Sequence, residues 1–525
     1  MASVPPTPRT KLYRDPHGLY VHSLILESCR RFGEKIAVVD HSCDPPKRIT
    51  YAEYGHLVER LAAGLRSRLQ PGDVVGVLLC NSWEFCAAYH ATTLAGCIPT
   101  LLNPSYRERE VRYQLENSGA RALISDATQL QGISLGGLPR LRQVFTTRTA
   151  AAGGTSPLEE LFGAARGNQS LEAGDPEQTV ASLPYSSGTT GLPKGVMLSH
   201  SNLVANVFQY LAPGEEATYT QDDIALCCLP LYHIYGLNVV LNAILAVGGT
   251  LVLAPRFDEA KFRRLLCDEG PTLLPLVPPL VNCLCRAAEQ GLFPRNHNVR
   301  YVKSGAAPLA LELARRFTDL TGICLRQGYG MTEASPVTHI GFIEQTCYRP
   351  DSIGPAVAQT DCRLEGGRHS GEGELVMRGP QFMLGYWKAP EATASVLRDG
   401  WYWSGDIATV DSDGFYRIVD RVKEMIKYKG FPIAPAEVEG VLLEHPMVQD
   451  CGIVGRKDDV AGEIPCAFVV LRDGHKGNSQ IAEELCGYVG ERLTGYKQPR
   501  EVRFVPAIPR NPSGKILRRK LRDEL

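Results

Sequence analysis

Short β-rich runs alternate with helical patterns along the first four hundred residues of this 525-residue chain. Val74 to Cys80, Ala122 to Asp126, Thr250 to Ala254, Leu273 to Val277 and Val299 to Lys303 read as strands; Leu57 to Leu69, His200 to Leu211 and Leu309 to Phe317 read as helices. Strands separated by helices need apolar cover on both sheet faces, so the pattern specifies an α/β fold of sheets covered by helices. The length exceeds what one hydrophobic core supports, and about three packing units are expected.

The composition shifts near Asp420-Arg421-Val422-Lys423. Before it, Gly400-Trp401-Tyr402-Trp403-Ser404-Gly405-Asp406 and Asp411-Ser412-Asp413-Gly414 mark tight turns in a β-rich region. After it come strand candidates at Cys451 to Val454 and Ala467 to Leu471, then an amphipathic helix with Ile481, Leu485, Val489 and Leu493 four apart. The expected organisation is a large N-terminal domain of several subdomains over residues 1–420 and a small α+β domain over 421–525. Thr146 to Gly174, rich in Ala, Gly and Ser, reads as a surface excursion. Val239 to Ala254 is the longest apolar stretch, but Asn242 and Gly248-Gly249 interrupt it, so it reads as helix, turn and strand rather than a membrane span.

The formal net charge of -1 provides no basic field for nucleic acid and no polybasic membrane patch. The sixteen cysteines are scattered without CxxC pairs or Cys/His spacing, which argues against zinc and a disulfide framework and for reduced thiols in the cytoplasm. Met1 to Thr10 has no apolar h-region, and the terminal Arg522-Asp523-Glu524-Leu525 reads as a chance likeness to a retention signal.

Chemistry is concentrated at Tyr185-Ser186-Ser187-Gly188-Thr189-Thr190-Gly191-Leu192-Pro193-Lys194. Glycines let backbone N–H groups approach phosphate oxygens, hydroxyls donate and the lysine supplies charge, so the segment suits a triphosphate. It is not a Walker A loop, because Pro193 precedes the lysine.

Further motifs follow in order: Ser304-Gly305-Ala306-Ala307-Pro308-Leu309; Gln327-Gly328-Tyr329-Gly330-Met331-Thr332-Glu333; Trp403-Ser404-Gly405-Asp406; Asp420-Arg421-Val422-Lys423 through Lys427-Tyr428-Lys429-Gly430; and Pro512-Ser513-Gly514-Lys515-Ile516. With the opening loop they resemble the ordered motifs of the adenylate-forming superfamily, which holds acyl-CoA synthetases, luciferases and adenylation domains. Leu229-Pro230-Leu231-Tyr232-His233-Ile234-Tyr235-Gly236-Leu237-Asn238 most resembles the 4-coumarate:CoA ligase branch. The resemblance implies ATP, Mg2+ and coenzyme A, an aromatic or medium-chain carboxylic acid, and a mobile C-terminal domain. A carboxylate oxygen is a bad leaving group, so the acid first displaces pyrophosphate from ATP and a thiolate then expels AMP; placed cations and N–H donors supply most of such catalysis.

The same resemblance implies the site. Ser186, Ser187, Gly188, Thr189, Thr190 and Lys194 would hold the β- and γ-phosphates. Ala306, Ala307, Gly328 and Tyr329 would flank adenine, with Gln327, Arg421 and Lys423 among the nucleotide contacts. Thr332 would meet the α-phosphate, Glu333 the magnesium and Asp406 the ribose hydroxyls. Lys515 would bridge the attacking carboxylate and the α-phosphate. Rotation about Arg421-Val422-Lys423 would exchange Lys515 for Lys427, Lys429 and Gly430 around the thioesterification site, with Arg256 a further coenzyme A contact. His233, Tyr235, Val239, Ala306, Gly328, Ala334 and Val337 would line the acyl pocket, and catalysis is assigned to Lys515, His233, Thr332 and Lys427.

Two departures bear on the acid. Pro432 stands where the 4-coumarate ligase pattern has glutamine, and proline donates from neither side chain nor backbone. Val239 occupies a position that is polar in some plant enzymes, which suggests a more apolar acid. A carrier-protein thiol in place of coenzyme A, a luciferase-like oxygenase and a non-catalytic nucleotide binder are the rival readings. Gly132-Ile133-Ser134-Leu135-Gly136 satisfies GxSxG, but Gly137 and Pro139 follow at once, which favours a turn over a hydrolase elbow.

Overall fold

Five sheets organise the chain in a computed structural model that describes residues 15–147, 154–163, 174–186, 192–212, 217–294, 296–342, 348–367, 371–422, 424–429, 431–458, 460–511 and 514–525. The largest has eight strands in the order Val337–Ile340, Cys324–Gly330, Tyr301–Ser304, Leu273–Leu276, Ile224–Cys227, Thr250–Leu253, Ile36–Asp40 and Lys47–Thr50. Its six inner strands are parallel and its two edge strands antiparallel. Parallel strands require helical crossovers, which explains why these strands read as continuous apolar runs. A second, all-parallel sheet runs Ile98–Leu101, Val74–Leu78, Ala122–Asp126, Gln143–Thr147 and Ser156–Pro157.

The expected strands are present: Ala122–Asp126 as read, Val74–Leu78, Thr250–Leu253 and Leu273–Leu276 shorter by one or two residues, Tyr301–Ser304 displaced towards the C-terminus, and the two C-terminal ones longer, as Val448–Asp458 and Gly462–Leu471. The helix read from residue 57 begins earlier, as Tyr51–Arg66, because Thr50 and Glu53 close a capping box at its N-terminus. The helix His200–Leu211 is capped in the same way by Ser199 and Asn202. Tyr235–Asn242 is wound as a π-helix, continues as the helix Ala243–Ala246 and leads into Thr250–Leu253, so the apolar stretch is helix, turn and strand. Among the described residues no helix is long and apolar enough to cross a membrane.

Two expectations need correction. The described residues 154–163, within the stretch 146–174, are not simply a surface excursion: Leu158 and Leu161 are buried, and Leu161 presses so closely on Gly64 that a β-carbon there would lie 2.1 Å from its carbonyl oxygen. Residues 401–406 are not a tight turn: Trp401–Val410 is one ten-residue strand, hydrogen-bonded as an antiparallel ladder to Glu372–Arg378 on one side and Tyr416–Arg421 on the other. The turn lies at Asp399 and Gly400, both at positive φ. Ser134 sits in a turn whose Ser134 and Gly136 carbonyls accept from Arg112, with no strand–elbow–helix around it.

The smaller C-terminal body has its own cores, drawn entirely from residue 426 onward. A sheet of Phe431–Ile433, Ile426–Tyr428, Gly462–Leu471, Val448–Asp458 and Glu501–Phe504 carries the helices Pro435–Leu443 and Ser479–Arg492. The last segment, with the helix Arg518–Asp523, returns towards the large domain, and Gly514 lies against Pro279.

Candidate active site

A cleft of about 1090 Å³ opens between the two bodies. One wall is built by strand pairing: Lys194–Ser199 pairs with Tyr185–Ser186 on one side and Gly385–Tyr386 on the other. Ser186 Oγ donates to Glu333 Oε1 at 3.1 Å, and the Tyr386 hydroxyl donates to the same oxygen at 2.8 Å. The Lys194 ammonium stands 5.3 Å from the Tyr386 ring centroid. Glu333 is 8% exposed, so a carboxylate, a hydroxyl and a cation meet where water is scarce and their interactions are strong. Ser187 to Gly191 lie outside the described residues, as do Lys423 and Gly430.

Opposite, Asp406 is buried on the strand Trp401–Val410. The Tyr329 hydroxyl donates to its Oδ2, and Arg421 Nε lies 3.0 Å from Oδ1. Burial first, and the Asp406 carboxylate second, raise the Tyr329 phenol well above its ordinary range, so it stays a donor. Ala306, on the turn after Tyr301–Ser304, faces the cleft at a φ of 69°. A non-glycine residue there costs about 1–2 kcal/mol, a strain the surrounding packing must hold.

Lys515 enters from the C-terminal body. Its backbone N–H donates to Asn511 Oδ1 and its carbonyl accepts from the Asn511 N–H, both at 2.9 Å. Arg510 braces the turn by donating to the Gly514 carbonyl at 2.8 Å while pairing with Asp450. Burial, and then the Arg421 guanidinium, lower the Lys515 ammonium to about 8, against the pull of Glu424 and Asp406.

The remaining lobe is walled by Tyr232, His233, Tyr235, Val239, Val337 and Ile340. The π-helical winding of Tyr235–Asn242 turns Tyr235 and Val239 into it. Gly236 is obligatory, because a β-carbon would stand 2.4 Å from the Pro230 carbonyl oxygen. The Tyr235 hydroxyl donates to the Lys303 carbonyl at 3.0 Å. His233 Nδ1 accepts from the Tyr235 N–H at 3.2 Å, and burial lowers its ring to about 4. The ring is therefore neutral with its proton on Nε2, a donor rather than an acid.

The structure thus gathers Ser186, Lys194, His233, Tyr235, Val239, Ala306, Gly328, Tyr329, Thr332, Glu333, Val337, Asp406, Arg421 and Lys515 around one cavity. Ala307 and Ala334 do not line it; Ala334 is fully buried behind Glu333. Gln327 turns away to donate to the Pro350 carbonyl at 2.6 Å. Lys427, Lys429 and Arg256 lie outside the cleft, all three exposed. Tyr386, Arg510 and Asn511 escaped sequence reasoning. Each acts through a partner distant in the chain or a backbone group, and no local composition marks such contacts.

Residues 25–387 match the AMP-binding enzyme family, and residues 437–515 match the AMP-binding enzyme C-terminal domain. The chain belongs to the AMP-binding enzyme family. It is 37% identical over 528 residues to 4-coumarate-CoA ligase 1 of Narcissus pseudonarcissus, covering 97% of this chain and 94% of that one. It is 40% identical over 494 residues to 4-coumarate--CoA ligase 3 of Oryza sativa subsp. japonica, covering 91% and 87%. Among solved structures, a benzoate CoA ligase from Burkholderia xenovorans LB400 superposes with a TM-score of 0.86 at 26% identity, covering 96% and 100%. ATP-bound MatB from Rhodopseudomonas palustris does so at 0.85 and 27%, covering 96% and 99%. This AMP-binding enzyme has the large and small domains of that fold, with the cleft between them.

Proposed function

We propose that this AMP-binding enzyme is an ATP-dependent carboxylate:CoA ligase acting on an aromatic, cinnamate-like acid. In the first step a carboxylate oxygen attacks the α-phosphorus and pyrophosphate leaves; in the second a thiolate attacks the acyl carbon of the adenylate and AMP leaves. The observation that carries the reading is the convergence of Lys515, Asp406 and Glu333, from distant parts of the chain, on one cleft with an aromatic-walled lobe. The names of the relatives support the acid class, and Tyr232, Tyr235 and neutral His233 offer flat walls with polar edges.

Within that reading Ser186 and Lys194 bind the outer phosphates and Asp406 accepts from the ribose hydroxyls. Thr332 meets the α-phosphate, and Lys515 holds the attacking carboxylate against it as charge develops. Ser187, Gly188, Thr189 and Thr190 belong with the phosphates by sequence. Among the described residues both hydrogen bonds to the Glu333 side chain fall on Oε1, and the Glu333 carboxylate would hold magnesium. Magnesium is held through one or two carboxylates plus phosphates and keeps several waters, so a site with one carboxylate fits it. When bound it supplies charge neutralisation on the triphosphate.

We place the division of the domains near residues 420–421, at the last residues of the strand Tyr416–Arg421 and ahead of the C-terminal cores that begin at Ile426. Reorientation about Arg421-Val422-Lys423 brings Lys427, Lys429 and Gly430 to the thioester step, with Arg256 a further coenzyme A contact. The fifteen described cysteines are all free thiols, which supports a cytoplasmic location. The test is carboxylate-dependent exchange of labelled pyrophosphate into ATP, followed by a screen of cinnamic, benzoic and C4 to C12 acids with coenzyme A. Absence of exchange with every acid refutes the ligase; transfer only to a carrier-protein thiol refutes coenzyme A as acceptor.

A further inference from the structure

The phosphate-side strands are short. Tyr185–Ser186 and Gly385–Tyr386 have two residues each and pair only with Lys194–Ser199. Two residues of ladder do not hold a register alone. The helix Glu108–Ser118 ends beside them, and one of its faces bonds to Tyr185 in the first strand and to Pro193, Trp387 and Lys388 at the ends of the other two.

In its last turn Asn117 Oδ1 accepts from the Tyr185 hydroxyl at 2.6 Å. The Asn117 carbonyl, one of the helix-end acceptors without an intrahelical partner, receives Trp387 Nε1 at 3.2 Å and Lys388 Nζ at 2.7 Å. One turn earlier the Tyr113 hydroxyl donates to the Pro193 carbonyl at 2.9 Å, and its ring meets Tyr185 edge-on at 6.5 Å. Residues four apart share a helix face, so Tyr113 and Asn117 act together. Between them they fix Tyr185, next to Ser186, and Pro193, next to Lys194. Neither lines the cleft; from the same helix Glu110 and Gln114 do.

We infer that Tyr113 and Asn117 are positioning residues for triphosphate binding, setting Ser186 and Lys194 where the outer phosphates arrive. The inference rests on the ligase reading. The outer phosphates leave as pyrophosphate, whereas AMP is held across the cleft by Asp406 and Tyr329. Loss of the staple therefore weakens ATP and spares AMP. A general structural defect weakens both.

The test compares Asn117→Leu, Asn117→Asp and Tyr113→Phe by calorimetric binding of magnesium α,β-methylene-ATP and of AMP. Asn117→Leu and Tyr113→Phe each remove one hydrogen bond, from the Tyr185 hydroxyl and to the Pro193 carbonyl, and each is expected to weaken the ATP analogue about three- to tenfold. Asn117→Asp, which keeps the acceptor, restores the wild-type value, and AMP binding stays within about twofold throughout, a difference of about 0.4 kcal/mol. An unchanged ratio of ATP to AMP affinity in both deletion variants overturns the inference, as does an equal loss of both ligands. Should Asn117→Leu fail to fold, Tyr113→Phe, which removes a single oxygen, decides alone. A wild-type protein that neither binds the analogue nor exchanges pyrophosphate overturns the ligase reading itself, and this inference falls with it.

Discussion

Lys515 offers the sharpest quantitative prediction. Burial and the Arg421 guanidinium bring its ammonium down from 10.5 to about 8 in the free enzyme. Only the charged form bridges a carboxylate and a phosphate, so the adenylation half-reaction loses its cation as the pH rises through that value. Because kcat/KM reports the free enzyme, the rate constant for pyrophosphate release should fall tenfold per unit above about pH 8. Bound triphosphate places negative charge beside the ammonium and raises its pKa, so the limb in kcat itself should lie at higher pH. Lys515→Arg keeps its charge throughout and should lack the limb. Lys515→Ala, which removes one charged donor from the developing negative charge, should slow adenylation about 10²- to 10³-fold. Thioester formation from supplied acyl-AMP should be largely intact in that variant. The assay is pyrophosphate release without coenzyme A from pH 6.5 to 10, since the thiol of the second substrate titrates in the same range. A wild-type profile flat to pH 9.5, or an alkaline limb that survives in Lys515→Arg, refutes the assignment.

Three further outcomes are expected. Asp406→Asn removes a charged acceptor and should weaken ATP about 10- to 100-fold. It also removes a negative neighbour that supports the ammonium, so the alkaline limb of adenylation should move to lower pH; a limb that stays put contradicts the coupling. His22, His90, His200, His233 and His339 are held by burial at about 3 or 4, below the ordinary 6.5. The folded state thus binds fewer protons than the unfolded one, and stability present above pH 6.5 is lost as the pH falls towards 4. The slope is about 1.4 kcal/mol per histidine per unit. Thermal melts should show the midpoint dropping steeply below pH 6, and an acid-insensitive melt counts against buried neutral rings. Gly64→Ala forces a β-carbon against Leu161 and should destabilise by about 1–3 kcal/mol, whereas Gly440→Ala, with open space around it, should be neutral or mildly stabilising. Denaturant midpoints of the two variants distinguish them, and equal midpoints refute the packing argument.

The amino-acid order alone determined the class of fold and the inventory of the site. Alternating strand and helix periodicity forces covered parallel sheets, and glycine, hydroxyl and cationic residues at fixed spacing declare their chemistry locally. It also suggested a division between two bodies near Arg421, where the composition changes, and the C-terminal cores are drawn from residue 426 onward. Tertiary structure decided which of those residues share a cavity. Gln327 and Ala307 sit in motifs beside genuine cleft residues yet face elsewhere, since neighbouring side chains on a strand or turn point in different directions. Tyr386, Tyr113 and Asn117 carry no local signature, because each acts through a hydrogen bond to a partner that only strand pairing and helix packing bring near, and Asn511 acts on the backbone of Lys515, which no composition marks. Periodicity is written in adjacent residues; juxtaposition is set by how separate elements bury their apolar faces together.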